Sequence, residues 1–305
     1  MAKFRTNHGG NQRGNGGASS GMVTKVLLFI GALVGLYYGF NNSSGGEEEY
    51  EDDTVIIDRD YALPTSTTGV VIDHHYYSLS YSEKHEQAEW VAYELHRDNL
   101  TGERVPRSNN FRDDPKVRSG SSSKYDFGHP DYDRGHMAPA GDMNFNSTAM
   151  SESFYMSNMS PQRSSFNQGI WRELEENTRK WAKIFKRLYV VTGPVLTSPP
   201  ITKIGNSKVS VPAAYYKVLL DLDEPEKKAI GFIMPNARSE KRIKEYAVSV
   251  DEVEELTGID FFGELLDPDL EAELEANFDA SLWTDDYKKY KKRVNSWNLV
   301  EERRK

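Results

Sequence analysis

Residues 168–186 have the apolar spacing of one long amphipathic helix, and this feature most constrains the fold of the chain. Large side chains recur every three or four residues there, starting at Trp171 and ending just past the segment at Leu188. Side chains at this spacing lie on one face of a helix. Shorter helices are predicted at residues 251–256 and 271–278, so a single long helix stands out.

Runs that alternate between apolar and polar residues, or that are rich in β-branched residues, predict strands on both sides of this helix. They are residues 70–77, 90–95, 154–156, 188–195, 215–222 and 229–234. Strands, one long helix and further strands predict an α+β domain with a mixed or antiparallel central sheet, rather than a repeating βαβ pattern. The chain has no cysteine, which excludes disulfides, thiolate metal sites and cysteine nucleophiles.

The first 68 residues differ in composition from the rest of the 305-residue chain. We expect a disordered basic leader rich in Gly and Asn at 1–21, a transmembrane anchor or signal segment at 22–40 and an acidic linker at 41–68. Residues 26–40 are uncharged, and with the residues just before them they approach the length of a membrane-spanning helix. An uncleaved anchor is favoured, with a cleaved signal peptide or a buried core helix as alternatives. Either of the first two places the remaining chain outside the cytoplasm.

The charge of the chain is unevenly distributed. The formal net charge of −9 argues weakly against a nucleic-acid partner. Residues 101–189 carry 14 basic and 11 acidic side chains, however, and are the only positive stretch of the globular part. A polyanion is therefore expected to bind there, in a local groove. The globular part is expected to form one domain at 69–282, followed by a charged tail at 283–305.

An acid, an arginine and a histidine stand within four residues of the segment YDRGHMAPAGDMN, residues 132–144. They are Asp133, Arg134 and His136. A general base in phosphodiester hydrolysis needs a pKa near 7, which histidine has with little tuning. Gly135 is expected to allow a tight backbone turn that presents the imidazole in a cleft. A hydrogen-bonded Asp–His pair without a catalytic role is the alternative interpretation.

A second polar stretch, residues 154–176, contains Asn158, Asn167 and Gln168 ahead of Glu175. Asn167 can cap the following helix, or its carbonyl oxygen can bind Mg²⁺, which accepts few protein ligands and keeps several waters. On an uninterrupted helix Glu175 lies about 12 Å along the axis from Asn167, so the two cannot share direct coordination. Glu175 can reach a water in the outer shell of the ion if Asn167 stands at the very start of the helix.

The segments DRGHMAP, SNMSPQ and FNQGIWRELE together resemble, in order and spacing, the DNA/RNA non-specific endonuclease family of ββα-metal nucleases. The resemblance covers about residues 71–266. It implies a ββα-metal nuclease domain that uses Mg²⁺, with Mn²⁺ or another divalent cation as a substitute. The expected substrates are double- and single-stranded DNA and RNA, bound through backbone phosphates and therefore with little base preference. The expected ends are 5′-phosphate and 3′-hydroxyl.

The resemblance also implies roles for single residues. His136 would be the base that activates water, Asn167 the one protein ligand of Mg²⁺, and Glu175 the residue that holds a metal-bound water. Asn158 would support the site. Asp133 would orient the histidine segment and the water shell of the metal.

The family further uses an upstream arginine on the substrate phosphate, for which the sequence offers Arg107 and Arg112. Spacing does not decide between them; Arg107 is favoured, and an ordinary ion pair with Asp113 or Asp114 is the alternative. Arg134 is a further candidate for the phosphate. Two other functions stay open at this stage: a catalytically decayed, surface-anchored nucleic-acid-binding protein, and a metal-dependent phosphodiesterase acting on small nucleotides.

Overall fold

The computed structural model describes residues 63–299, all of which belong to the compact unit Ile56–Lys305. Its centre is a sheet of seven strands in the order β1-β2-β3-β6-β9-β10-β11, and every neighbouring pair is antiparallel. These strands are β1 (Val70–Asp73), β2 (Ser78–Ser82), β3 (Gln87–His96), β6 (Arg187–Pro194), β9 (Ala214–Asp221), β10 (Lys228–Pro235) and β11 (Ala247–Val248). Strands β7 (Thr202–Ile204) and β8 (Val209–Val211) form a separate two-stranded sheet. The predicted α+β class with an antiparallel sheet is confirmed.

Two of the predicted strands differ from the structure. The run 70–77 divides into β1 and a turn, because His74 donates its backbone N–H to the carbonyl of Tyr77 at 2.8 Å and reverses the chain into β2. The predicted strand 154–156 is wrong. Tyr155 and Met156 lead instead into a short 3₁₀ helix, Met156–Asn158, and the strand β5 begins only at Met159 and runs to Arg163.

The long helix covers one face of the sheet. It consists of a π-helical segment, Phe166–Trp171, followed without a gap by α3, Arg172–Phe185. Its apolar stripe is fully buried at Trp171, Leu174 and Trp181, against strand residues such as Val190, Leu219 and Phe232. Each of these large side chains contributes about 1.5–3 kcal/mol on burial. Two smaller helices precede it in the chain, α1 (Arg97–Thr101) and α2 (Ser147–Glu152).

Helices α4 (Val250–Thr257) and α5 (Pro268–Ala276) cover the opposite face. Alternate residues of a strand point to opposite faces, and Tyr189 and Val191, the neighbours of Val190, belong to the core beneath these two helices. The sequence sets the ends of both helices. Ser249 and Glu252 form a capping box at the start of α4. Asp267 caps α5, whose first residue is proline.

The last described segment packs into the domain instead of extending as a separate tail. Trp283 is 3 % exposed and Arg293, on helix α6 (Tyr287–Asn295), is fully buried. The Nε of Arg293 donates to the carboxylate of Glu173 on α3 at 2.6 Å. The predicted boundary at residue 282 therefore falls inside the packed structure. At the other end, Thr68 donates to the carboxylate of Glu89 through both its backbone N–H and its hydroxyl, so residues assigned to the linker also join the domain.

The predicted leader, anchor or signal segment and most of the linker lie outside the described residues. Within residues 63–299, no helix is both long and apolar enough to cross a membrane.

Candidate active site

The first motif lies on a small two-stranded sheet, formed by β4 (Tyr132–His136) and β5 (Met159–Arg163). The strands are antiparallel, with Gly135 opposite Ser160 and His136 opposite Met159. Residues 166–171 and α3 follow β5 directly, so two strands and a helix form one local unit. The motif was expected to turn at Gly135, but the backbone is extended there. Glycine is needed for a different reason: a Cβ at this position would lie 2.2 Å from Cδ of Gln162 on β5.

Asp133 joins the strand to the start of the helical segment. Its Oδ1 accepts a hydrogen bond from Ser164 Oγ at 2.7 Å. Its Oδ2 accepts from Asn167 Nδ2 at 3.1 Å and from Gln168 Nε2 at 2.8 Å. A carboxylate only accepts hydrogen bonds, so it fixes which end of each amide points toward it. The Asn167 nitrogen is turned to Asp133, and its carbonyl oxygen is turned away.

Asn167 does not cap the long helix, contrary to the alternative that the sequence left open. It lies inside the π-helical segment, its side chain bonds to Asp133, and the residue at the start of α3 is Trp171, which makes no side-chain cap. Gly169, with φ −102° and ψ −113°, breaks the helical path between Asn167 and Glu175. The separation calculated for an uninterrupted helix therefore does not apply to this pair.

His136 sits in an aromatic enclosure. It is 9 % exposed, and its ring packs edge-on against Phe154 at 4.9 Å and Phe111 at 5.9 Å between centroids. Burial, followed by the positive charges of Arg107 and Arg134, lowers the pKa of His136 to about 3. The imidazole is thus neutral at pH 7. Its Nε2 is buried and has no hydrogen-bond partner among residues 63–299, as expected of a nitrogen kept for a water or a substrate.

Two of the three candidate arginines lie beside His136. The guanidinium of Arg107 lies 4.7 Å from the centre of the Phe154 ring, and that of Arg134 lies 4.2 Å from the Phe111 ring. Burial lowers the pKa of Arg107, and the carboxylate of Glu175 opposes this shift, so Arg107 is electrostatically linked to both His136 and Glu175.

Arg112 is engaged elsewhere. It donates to the carbonyl of Ser151 at 2.8 Å and lies over Tyr155. Its guanidinium makes no ion pair with Asp113 or Asp114 in the described structure.

Asn158 braces the segment that follows His136. The residue is completely buried. Its Oδ1 accepts from the backbone N–H of Ala138 at 2.8 Å, and its Nδ2 donates to the carbonyls of Ala138 and Ser153 at 3.0 and 2.8 Å. All its polar atoms bond to backbone. Asn158 therefore ties the segment after His136 to the end of α2 through backbone hydrogen bonds.

Beneath Glu175 lies a group of buried charges that the sequence did not reveal. Burial, with Asp142 adding to it, raises the pKa of Glu175 to about 7, while Arg179 and Lys217 oppose the shift. Burial lowers the pKa of Lys217 to about 8. Arg179 donates to Asp142 at 2.6 Å, and Lys217 donates to Thr192 at 2.5 Å. The one signal in the sequence was a lysine inside the apolar strand AYYKVLLD.

The donors around Asn167 fit a hard divalent cation. Mg²⁺ prefers oxygen ligands and keeps most of its waters. Asn167 presents a carbonyl oxygen that accepts no hydrogen bond among the described residues, because Asp133 holds the nitrogen of the same amide. Glu175, whose charge interacts with those of Arg107, Asp142, Arg179 and Lys217, offers a carboxylate as a further oxygen donor. Oxygen donors and no sulfur are the set expected for magnesium or manganese.

A histidine on a β-hairpin strand and an amide held at the start of the following helix, in one strand–strand–helix unit, define the class of ββα nucleases. The model of the DNA/RNA non-specific endonuclease family matches residues 59–267, more than half of the chain. The chain belongs to this family, whose members are nucleic-acid-hydrolysing enzymes.

Known relatives agree with this assignment. Mitochondrial nuclease EXOG of Danio rerio is 36 % identical over 200 residues, which cover 60 % of this chain and 58 % of the relative. Nuclease C1 of Cunninghamella echinulata is 37 % identical over 207 residues, covering 62 % and 81 %. Human mitochondrial endonuclease G is 30 % identical, covering 62 % and 68 %. The chain thus spans little more than half the length of the EXOG relative.

The fold also resembles that of a chain in the crystal structure of the EndoG/EndoGI complex. The TM-score is 0.61 at 29 % sequence identity, and the match covers 66 % of this chain and 88 % of the other.

Proposed function

We propose that this protein is an endonuclease that hydrolyses phosphodiester bonds of DNA and RNA without sequence preference and with Mg²⁺ as cofactor. One observation carries the proposal most directly. Asp133, three residues before His136 on strand β4, accepts a hydrogen bond from the amide nitrogen of Asn167. The carbonyl oxygen of Asn167 is therefore left to bind a cation. The expected products carry 5′-phosphate and 3′-hydroxyl ends.

His136 is the proposed general base. A base must be unprotonated before it acts, and the imidazole of His136 is neutral at pH 7. Its pKa of about 3 lies below the value near 7 expected from the sequence, because burial and the charges of Arg107 and Arg134 disfavour the protonated ring. Its unpartnered Nε2 would take a proton from water for in-line attack on phosphorus, the bond to the 3′ oxygen would break, and that oxygen would take up a proton from solvent to become the 3′-hydroxyl. Phe111 and Phe154 hold the ring from two sides, which limits the rotation that would otherwise misplace the nitrogen.

Arg107 and Arg134 are proposed to bind the substrate phosphate. Both guanidinium groups are charged, lie beside His136 and rest on the aromatic rings that enclose it. Arginine recognises phosphate oxygens well because its planar fork donates two parallel hydrogen bonds. Contacts of this kind carry no information on base sequence, which supports cleavage without sequence preference.

Asn167 would hold the Mg²⁺, and Glu175 would hold one of the waters of the ion. When bound, the metal supplies positive charge that stabilises the phosphate oxygens as the bond to the leaving group breaks. Glu175 has to be ionised for its role. The buried Lys217 and the partly exposed Arg179 favour its ionised form, and burial and Asp142 oppose it. Mn²⁺ is expected to substitute, because it accepts the same oxygen donors.

Cleavage of three substrates separates the proposal from the two other functions considered from the sequence. We expect the protein to nick supercoiled plasmid and to cut single-stranded RNA with Mg²⁺, and to lose both activities in excess chelator. A protein that binds plasmid but does not nick it under any divalent cation would be a decayed nuclease. Hydrolysis of a dinucleotide with no plasmid nicking would identify a small-nucleotide phosphodiesterase.

A further inference from the structure

Helices α4 and α5 bring a second group of acidic side chains together, on the face of the sheet opposite the long helix. Asp251 and Glu254 are three residues apart on α4, and Glu271 and Glu275 are four apart on α5, so each pair lies on one face of its helix. One carboxylate oxygen from each of Asp251, Glu254 and Glu275 lies within 4.8 Å of the other two.

Two further carboxylates border this trio. Oxygens of Glu271 and Asp260 lie 3.1 and 3.2 Å from the position that a Cβ on Gly263 would occupy, so they stand close to each other. The negative charges of Asp260 and Glu271 act on both Glu254 and Glu275. Within residues 63–299, no lysine or arginine forms an ion pair with any of these five acids.

Glu275 distinguishes this cluster from an ordinary acidic surface. The residue is 4 % exposed. Its Oε1 is buried and accepts no hydrogen bond from the residues that the structure describes, although its carboxylate points among the other acids. Burial and then the charge of Glu254 raise the pKa of Glu275 to about 9. An unpaired buried carboxylate costs several kcal/mol unless a proton or a cation neutralises it.

We propose that Asp251, Glu254 and Glu275 bind a structural Ca²⁺ ion, separate from the magnesium of the active site. Ca²⁺ takes carboxylate oxygens at 2.3–2.6 Å in a flexible shell of six to eight ligands. Two of its ligands can therefore be up to about 5 Å apart, which accommodates the three oxygens. Mg²⁺ requires a tighter octahedron, and dehydrates reluctantly. The exposed side of the cluster, at Asp251, leaves room for waters to complete the shell.

Such an ion would link α4 to α5 and so stabilise the packing of these two helices on the core that they form with the sheet. The segment between the two helices has the buried residues Ile259, Phe261 and Phe262, whose packing depends on where the helices are held. The site lies on the other face of the sheet from the long helix, so we expect it to affect stability and not turnover. It therefore does not rest on the proposed nuclease function.

Thermal unfolding and calorimetric titration of the full chain with Ca²⁺ test the proposal. The protein is stripped of metal and studied as wild type, Glu275→Gln, Glu254→Gln and Glu273→Gln. The last is the matched control, because Glu273 is on the same helix and exposed. At Ca²⁺ about 100-fold above its Kd, we expect the Tm of the wild type and of Glu273→Gln to rise by about 5–10 °C. Glu275→Gln and Glu254→Gln are expected to show less than a third of that rise.

Two further measurements make the outcome specific. Asn167→Ala should keep the full Ca²⁺ response, which separates this site from the proposed magnesium site, and Glu275→Gln should nick plasmid within twofold of wild type. Without Ca²⁺, Glu275→Gln should melt above the wild type at pH 7, because the wild-type carboxyl has to take up a proton on folding and the glutamine amide is neutral without one. Absence of Ca²⁺ binding, or an equal response in Glu275→Gln, would overturn the proposal and leave a shared proton as the neutralising group. A Glu275-dependent response to Mg²⁺ but not to Ca²⁺ would overturn the assignment of the ion.

Discussion

Asn167 and Asn158 are both asparagines of the second motif, yet their surroundings differ completely. Asn158 is buried, and its side-chain amide forms hydrogen bonds only with backbone groups of Ala138 and Ser153. Asn167 is partly exposed, and only its nitrogen is bonded, to Asp133. The first arrangement stabilises the fold near His136, and the second presents an oxygen. One residue type therefore supports the site in one position and is suited to bind a cation in the other.

Replacing each asparagine by alanine should separate these two roles. We expect Asn158→Ala to lower the free energy of unfolding by about 2–4 kcal/mol, because it leaves buried backbone groups unpaired. Asn167→Ala should change the Tm little and raise the Mg²⁺ concentration needed for half-maximal nicking at least tenfold. Thermal melts and Mg²⁺ titrations of both variants are the measurements. Equal shifts in Mg²⁺ dependence would mean that the metal is not on Asn167.

The pKa of His136 makes a prediction about stability and pH. In the unfolded chain the imidazole takes up a proton below about pH 6.5, whereas in the folded protein it stays neutral down to about pH 3. The unfolded state thus binds more protons in this window, and folding stability falls as the pH is lowered through it. The loss is about 1.4 kcal/mol for each pH unit within the window.

The variant His136→Gln isolates this effect, because every other titrating group is shared with the wild type. We expect the wild type to lose about 3 kcal/mol relative to the variant between pH 7.5 and pH 4.5, in chelator. Urea unfolding at the two pH values measures it. A constant difference between the two proteins would show that the histidine is not held neutral by its surroundings.

At the scale of elements, the site depends on how closely β4 approaches β5. A Cβ on Gly135 would collide with Gln162, because the three atoms nearest to it all belong to that side chain. The side-chain amide of Gln162 is itself buried without a hydrogen-bond partner in the described structure, so removing it costs little polar bonding.

This geometry predicts a rescue. Gly135→Ala should lower stability by about 1–3 kcal/mol and nicking at least tenfold, because the strand that carries His136 must move. The double variant Gly135→Ala/Gln162→Ala should regain most of both. Gly128→Ala is the control, because a Cβ there meets only ordinary contact at 3.4 Å. If the double variant is as impaired as the single one, the close approach of the strands is not the reason for the glycine.

The sequence predicted the elements of the large sheet better than the small sheet that carries the site. Strands β3, β6, β9 and β10 are long and rich in apolar residues, so their pattern was plain. Strand β4 contains Asp133, Arg134 and Gly135 in five residues and pairs with a single strand, so its sequence lacks the apolar pattern of a strand and is typical of a loop. Lys217 was missed because its place inside an apolar strand is its one local signal, and its charged neighbours come from other elements. The family was predicted correctly, since three motifs agreed in order and spacing, and the roles of the single residues stay predictions.

At the scale of the whole molecule, the basic leader, the uncharged segment at 26–40 and the acidic linker have the charge asymmetry of an N-terminal anchor. We propose that residues 69–305 lie outside the cytoplasmic membrane, or are released there after signal cleavage. Such a location would keep a nuclease without sequence preference away from the DNA of its own cell. Protease added to spheroplasts should release an active soluble fragment. Protection of the nuclease until the membrane is broken would contradict this orientation.

The rate of plasmid nicking by His136→Ala tests the central claim most directly. We expect a folded protein, with wild-type circular dichroism, whose Mg²⁺-dependent nicking is about 10²–10⁴-fold slower because the general base is lost. The charges of Arg107 and Arg134 remain in this variant, so plasmid binding should persist. A folded His136→Ala that nicks plasmid within threefold of the wild-type rate would remove His136 from the mechanism.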